Sequence, residues 1–452
     1  MHILVINGSP KGETSITVQT VKYWEILHPA HTFTYLNAGR DIARLEKDPA
    51  SLVPLFEEAE LVLFSYPVYT FLAPSQLHRF IRLMKQAALP VSGLLAAQVT
   101  TSKHFYDTTA QAYVRENCAD LGMHYLGGLC ADMDDLTLEK GRQEAKAFFK
   151  RILWCAENGI YEPLPAPAPV WEPVTAHVPA APVSEKKSGA VISLVADCAP
   201  EDTSLRAMID RFTALCPYAV KVYDLHAFRF NGGCLGCFRC AADGACFYND
   251  GFSAMLADIQ SGAAVVLAFG VRDHSMGTQF KTYDDRQFAN GHRTVTEGTP
   301  FGYIVSGALS REENLREVIE ARAQVGGNFL AGTATDETDP DGSIDRLVAS
   351  LSYAVEHHYT EPRNFYGTGG MKIFRDLIYL MRGLMREDHR FFRSHGQYDF
   401  PQRQPGRILL MYPVGWLMRS KKLQKKAGGT MTEGMLRPYT KVLEEARREA
   451  EK

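Results

Sequence analysis

No apolar run in this 452-residue sequence reaches the roughly 18–20 residues that a membrane-spanning helix requires. Charge of one sign is not in excess either. With 49 Lys and Arg against 52 Asp and Glu, the formal net charge is −3, which gives no general reason to expect a nucleic-acid partner. Cysteine is scarce: nine residues in a chain of this length are too few for a disulfide scaffold. The amino-terminal Met1-His2-Ile3-Leu4-Val5 runs straight into a strand-like segment, without the charged and apolar regions of a signal peptide. The expectation is a cytoplasmic, reducing environment. Hydrophobic residues, at 46%, and charged residues, at 22%, are in ordinary balance, which excludes disordered, collagen-like and coiled-coil chains. At roughly 150 residues per domain, the length asks for about three units, or two domains and an appendage.

What is present is a repeat. Strand-like segments at Ile3–Asn7, Thr32–Leu36, Leu61–Tyr66, Leu94–Thr100 and Tyr125–Leu129 alternate with helical periodicity. In Gln76–Gln86, for example, Leu77, Phe80, Ile81 and Met84 share one face. Near-continuous apolar strands separated by helices imply a parallel sheet covered on both faces. The Pro/Ala-rich stretch Pro163–Pro182 breaks the periodicity and reads as a semi-rigid, extended linker. The pattern then restarts with Ala190–Val195, Val220–Tyr223, Ala264–Phe269, Phe301–Val305 and Asn328–Gly332. Strand spacing matches between the halves except before the third strand, where the second half holds about fifteen extra residues and a group of cysteines. The predicted architecture is α/β: two doubly wound, parallel five-stranded sheets of order 2-1-3-4-5 in tandem. The predicted boundaries are a first domain over 1–160, a linker over 161–188, a second domain over 189–358 and an extension over 359–452.

The extension is basic, with 19 Lys and Arg against 10 Asp and Glu from Glu361 onward. Gly370–Arg386 reads as an amphipathic helix with Ile373, Phe374, Leu377, Ile378, Met381, Leu384 and Met385 along one stripe. Helices packed on the two domains with a solvated basic face are the first reading, and peripheral docking on a membrane surface or a partner is the second. Ile408–Met418 is too short to span a bilayer and contains Pro413.

Two places carry chemistry. Asn7-Gly8-Ser9-Pro10-Lys11-Gly12-Glu13-Thr14-Ser15 joins the first strand to a helix. It sets backbone N–H groups and hydroxyls at the positive end of the helix dipole, a ready phosphate site. It is neither a Walker loop nor the dinucleotide G-x-G-x-x-G. The third strand ends in Ser65-Tyr66-Pro67-Val68-Tyr69-Thr70-Phe71-Leu72-Ala73-Pro74 and the fourth in Thr100-Thr101-Ser102-Lys103. Both are carboxyl ends of neighbouring strands, where open α/β sheets bind ligands. The second place is Cys234-x2-Cys237-x2-Cys240-x5-Cys246. Four thiolates so close in sequence, eased by Gly232, Gly233 and Gly236, can wrap one cubane cluster or one tetrahedral ion. The three-residue rhythm suits a cluster, since zinc sites more often separate paired C-x2-C units by a longer stretch.

The S-P-K-G-x-T-S loop and the P-x-Y-x-x-x-x-P segment resemble the flavodoxin-like NAD(P)H-dependent FMN reductase family. The resemblance implies that Ser9, Pro10, Lys11, Gly12, Thr14 and Ser15 hold the FMN phosphate. It also implies that Pro67, Val68, Tyr69, Thr70 and Phe71 line the isoalloxazine ring, with Thr101 and Ser102 on its far side. The cysteine loop with Asn249-Asp250-Gly251, and the Phe280–Arg286 segment (FKTYDDR), resemble the iron–sulfur flavoproteins, the branch carrying one [4Fe–4S] cluster. That implies Cys234, Cys237, Cys240 and Cys246 as cluster ligands, NAD(P)H or ferredoxin as electron donor, a small-molecule acceptor and a homo-oligomer.

The halves depart from the family in complementary ways. Where the first has its phosphate loop, the second reads Ala196-Asp197-Cys198-Ala199-Pro200-Glu201-Asp202-Thr203-Ser204, whose three carboxylates would repel a phosphate. The first half has no cysteine insert. The expectation is one FMN in the first domain and one cluster in the second, forming an electron-transfer couple across a pseudo-twofold interface. No residue stands out as a catalytic acid or base, and His274 and His292 read as polar loop residues or ring neighbours. The alternatives are an NAD(P)H:FMN or quinone reductase whose cysteines bind zinc or nothing, and a non-enzymatic electron carrier or assembly partner.

Overall fold

Among the described residues, ten strands form two parallel sheets. In the first half β1 (His2–Asn7), α1 (Ile16–Leu27), β2 (Thr32–Leu36), α2 (Ala38–Leu45), α3 (Val53–Glu57) and β3 (Leu61–Pro67) are followed by α4 (Ser75–Gln86), β4 (Leu95–Ser102), α5 (Asp107–Asp120), β5 (His124–Asp132) and α6 (Glu139–Asn158). The second half has β6 (Lys187–Asp197), α7 (Thr203–Leu215), β7 (Tyr218–Asp224), α8 (Arg239–Asp243), α9 (Phe252–Gln260) and β8 (Ala264–Gly270). It continues with α10 (Thr278–Arg286), β9 (Phe301–Ser306), α11 (Glu313–Gly326), β10 (Leu330–Thr335) and α12 (Pro340–His357). The strand orders are β2-β1-β3-β4-β5 and β7-β6-β8-β9-β10, the predicted order in both halves. The computed structural model describes residues 1–166, 168–181, 183, 186–417, 419, 436, 439–440 and 442–451.

Central strands are apolar on both sides because both faces are covered: Ile3–Ile6 of β1 and Ala264–Phe269 of β8 are buried throughout. Several predicted strand bounds shift by one to three residues. The last strand runs Leu330–Thr335 rather than Asn328–Gly332, since the Asn328 backbone N–H is spent on the Ala323 carbonyl of α11 at 2.9 Å. The amphipathic helix expected over Gly370–Arg386 is α13 (Phe365–Leu380), capped by the Asn364 side chain, and a turn around Met381–Leu384 ends it. The apolar stripe continues through that turn, so periodicity alone does not show the break. It is followed by α14 (Arg386–Ser394) and α15 (Pro405–Leu417). Of the linker and extension, residues 167, 182, 184–185, 418, 420–435, 437–438, 441 and 452 lie outside the described residues. Among those described, no helix is long and apolar enough to cross a membrane.

Residues 1–391 form one compact unit and 392–452 another. In the second unit Ile408, Leu409, Leu410, Met411, Tyr412 and Trp416 of α15 are exposed. In the first, one apolar core is continuous between the two sheets, joining Phe64, Leu77, Phe80 and Val114 to Phe269, Phe280, Leu315 and Val318. Each sheet also has a private core on its outer face, built with α1 and α6 in the first half and α7 and α12 in the second.

The shared face is arranged as a pseudo-twofold. Helix α4 packs on α10 and α5 on α11, and each member of a pair occupies the same position in its own half. Equivalent surfaces meeting each other define an isologous interface, here within one chain. The loops after β3 and β8 match as well. Thr70 and Phe71 have φ of 45° and 71°, and Asp273 and His274 have φ of 52° and 59°. Left-handed backbone at non-glycine residues costs energy and persists only where surrounding contacts enforce it.

One side of the pseudo-twofold is an ion-pair network. His274 meets Glu312 at 2.9 Å and Asp120 at 3.1 Å, and Lys85 meets Asp120 at 2.7 Å and Asp273 at 3.1 Å. Burial alone would lower the His274 pKa, but hydrogen bonds and charge from Asp120 and Glu312 raise it from 6.5 to about 10. The folded state thus holds this proton more tightly than the unfolded chain. The resulting stabilisation is complete below about pH 6.5 and disappears as pH rises through about 10. Urea unfolding across that range is expected to show stability falling with pH, and His274→Gln to remove most of the slope.

Candidate functional site

The loop over Asn7–Ser15, expected to hold a phosphate, is tied down at its base. Ser9 N–H donates to Asn7 Oδ1 at 3.2 Å, and Asn7 Nδ2 donates to Asn37 Oδ1 at 2.9 Å. Thr17 and Thr101 hydroxyls meet at 2.6 Å, tying the start of α1 to the end of β4. Ser15 stands at the N-cap of α1, yet its hydroxyl makes no capping bond, so the positive end of the helix keeps free donors for an anion. Ser102 Oγ is buried and has no hydrogen-bond partner among the described residues. Such a group fits a ligand that supplies the missing partner.

The cysteine loop leaves β7 and lies against the first half. Gln76 Nε2 of α4 donates to the Cys234 carbonyl at 3.1 Å. Lys11 Nζ sits 5.6 Å from the centre of the Phe238 ring. The approach is closest at Gly236, whose φ is +61° and where a Cβ would come within 2.0 Å of Tyr69 Oη. Only glycine meets both conditions.

One short helix of the second half locks the two parts together. Lys281 of α10 is wholly buried and donates to the Tyr69 carbonyl at 3.0 Å and Thr70 Oγ1 at 2.6 Å. Its countercharge is Asp285 at 2.5 Å, which also accepts from Thr70 Oγ1 and from Ser75 N–H, each at 2.7 Å. Burial raises the Asp285 pKa, and Lys281 draws it back. Arg286, the next residue, donates to Asp250 with two bonds of 2.9 Å and to the Gly232 carbonyl at 3.0 Å. Lys281 and Asp285 thus hold the Tyr69–Ser75 turn while Arg286 holds the cysteine loop.

A single cavity of about 330 Å³ results. Of the residues expected at a flavin, Ser9, Lys11, Ser15, Pro67, Val68, Tyr69, Thr70, Phe71, Thr101 and Ser102 line it; Pro10, Gly12 and Thr14 do not. Cys234, Cys237, Cys240 and Cys246 line it too. The remaining wall includes Arg286, Phe288, His292, Arg322, Asn328 and Phe374. Of these, only His292 is expected from the sequence as a ring neighbour. Phe374 belongs to the amphipathic stripe, where its spacing signals packing alone.

The four cysteines are unpaired. Burial pushes the Cys234 thiol far up and, with Asp388 nearby, the Cys240 thiol to about 11, so a metal would have to displace a proton from each. No three of these sulfurs lie within 4.8 Å of one another, whereas Glu116, His274 and Glu312 do. At the carboxyl edge of the second sheet, fully buried Asp336 accepts from Ser204 Oγ (2.7 Å), Ser306 Oγ (2.6 Å) and Gly307 N–H (2.9 Å). The donors an anion would use in this half are already paired with a carboxylate of the chain.

The class defined by fold and site is the flavodoxin-like α/β protein: residues 1–87 match the family model described as flavodoxin-like fold, and the second sheet repeats the order of the first. More particularly, the chain is similar to an iron–sulfur flavoprotein of Archaeoglobus fulgidus, at 26% identity over 178 residues, 36% of this chain and 78% of that protein. Among solved structures, an FMN-dependent NADH-azoreductase from Bacillus anthracis, in complex with FMN, aligns with 13% identity and a TM-score of 0.27 over 35% of this chain and 100% of its own. The Trp repressor binding protein of Bacillus subtilis aligns with 18% identity and a TM-score of 0.26 over 33% of this chain and 98% of its own.

Proposed function

We propose that the chain is an iron–sulfur flavoprotein oxidoreductase that passes electrons from NAD(P)H or ferredoxin to a small acceptor. The observation that carries this is the cavity lined at once by the phosphate loop, the Tyr69–Phe71 turn and all four clustered cysteines. Ser9, Lys11, Ser15 and the amino end of α1 would hold the FMN phosphate. Tyr69, Thr70, Phe71, Thr101 and Ser102 would border its ring, and the four cysteines would hold one [4Fe–4S] cluster. Flavin chemistry handles paired electrons and cluster chemistry single ones, so the pair supplies an exchange between the two.

The three-residue rhythm of Cys234, Cys237 and Cys240 favours a cluster over zinc, whose sites more often separate paired C-x2-C units by a longer stretch. A reductase without a cluster is the second reading, and metal analysis separates the two. Protein purified without oxygen is expected to carry one FMN and four irons per chain. Two flavins, or flavin without iron, would overturn the assignment.

The pseudo-twofold within the chain occupies the face that would otherwise join two copies. A homo-oligomer must therefore use another surface. The basic excess of the extension and the exposed apolar side chains of α15 support peripheral contact with an anionic membrane surface as a further role of that segment.

A further inference from the structure

Part of the cavity wall comes from outside the strands and helices that the two halves share. Phe288 and His292 lie between α10 and β9, and Ile373, Phe374 and Leu377 come from α13, beyond the last helix of the second half. Within this wall His292 is held unusually firmly. Its backbone N–H donates to Asp388 Oδ2 at 3.1 Å, and its Nδ1 meets the same oxygen at 3.0 Å. Asp388, on α14, is fully buried, and Arg293 Nε lies 3.7 Å from its other oxygen. The carboxylate fits only because residue 291 is glycine at φ +60°: a Cβ there would stand 2.1 Å from Asp388 Oδ1.

The ring is placed among aromatics. It stands edge-on to Phe374 at 4.8 Å and tilted at 5.9 Å from Phe288, which is itself edge-on to Tyr69 at 6.0 Å. His292 is mostly buried, and its Nε2 has no hydrogen-bond partner among the described residues. A buried carboxylate on Nδ1 holds one ring proton there, which leaves Nε2 as the atom able to exchange a second proton with a molecule in the cavity.

We propose that His292, oriented by Asp388, is the proton donor to an aromatic two-electron acceptor of the quinone class bound in this cavity. The proposal rests on the redox reading above. Converting a quinone to a hydroquinone takes two electrons and two protons. A bound reduced flavin would supply both electrons and one hydrogen, as a hydride to one quinone oxygen, leaving the negative charge on the opposite oxygen. That oxygen forms its O–H bond with the Nε2 proton of His292, and the imidazole regains a proton from water. Asp388 is a positioning residue in this scheme.

The test compares a benzoquinone with ferricyanide, which takes one electron and no proton, in the loaded protein and its His292→Gln and Asp388→Asn variants. Turnover with the quinone is expected to fall at least about 100-fold in His292→Gln and less in Asp388→Asn, in each variant by far more than ferricyanide reduction falls. A second readout needs no turnover: 15N spectra should show a hydrogen-bonded Nδ1 proton on His292 that Asp388→Asn removes. Equal losses with both acceptors, an undiminished quinone rate, or absence of that Nδ1 proton from the unaltered protein would each overturn the proposal. An unaltered protein that reduces neither acceptor would overturn the redox reading itself, and this proposal with it.

Discussion

Replacing Asp285 with alanine is expected to destabilise the first unit by about 3–5 kcal/mol, because it strands the fully buried Lys281 ammonium without its nearest countercharge. Asp284, at 3.2 Å, is a second countercharge, so the loss should fall toward the lower end. The same change leaves the Ser75 N–H and the Thr70 hydroxyl without their acceptor, each adding to the penalty. Chemical denaturation measures the loss directly. The paired variant Lys281→Met with Asp285→Leu provides the control: apolar groups of similar volume are expected to recover most of the stability, because the ion pair itself contributes little beyond satisfying its own burial. A loss below about 1 kcal/mol in the single variant would mean that the pair is solvated and does not clamp the halves.

The second large effect is expected at Arg286, and it should be local. Arg286→Met leaves Asp250 buried without its two bonds and frees the Gly232 carbonyl. Asp250 is held ionised down to about 2; burial opposes this, and the Arg286 bonds together with the Asn231 and Phe252 N–H groups outweigh it. Losing the cation should cost about 3–5 kcal/mol, which raises the open population of the cysteine loop by at least about 100-fold. Thiol alkylation of metal-free protein reads this at Cys234, which is nearly inert when closed because burial keeps it protonated. In loaded protein, iron release to a chelator should accelerate by a similar factor. Flavin should be retained, since Arg286 bonds only within the second half. Unchanged alkylation and iron release would show that the loop is held by its other contacts, such as that from Gln76.

Much of the site is legible in the amino-acid sequence. The four cysteines announce themselves by spacing, and the phosphate loop by its place between an apolar strand and a helix. Thr101 and Ser102 follow from the rule that ligands gather at strand carboxyl ends. The coupling partners are not legible in this way. Lys281 and Asp285 lie one turn apart on a nine-residue helix, with Arg286 next to Asp285; resemblance marks the segment, but as a pattern it is an ordinary polar helix. Their burial comes from α4 and the cysteine loop packing over them from distant parts of the chain. His292 and Asp388 are 96 residues apart, and no local pattern links them. The stripe on α13 is visible, but periodicity tells which residues share a face and not what that face meets.

By itself the sequence determined the two sheets, their strand order and the division of phosphate loop and cysteine loop between the halves, because strand periodicity and local spacing are short-range properties. Only the tertiary structure decided that both loops open into one cavity and that α10 is the clamp between them. It also brought the segments after the second sheet to the cavity wall. Those outcomes depend on burial, and burial depends on which distant surfaces exclude water from one another. Scarce cysteine and a near-zero net charge say nothing of that exclusion, whereas a buried lysine and its aspartate depend on it entirely.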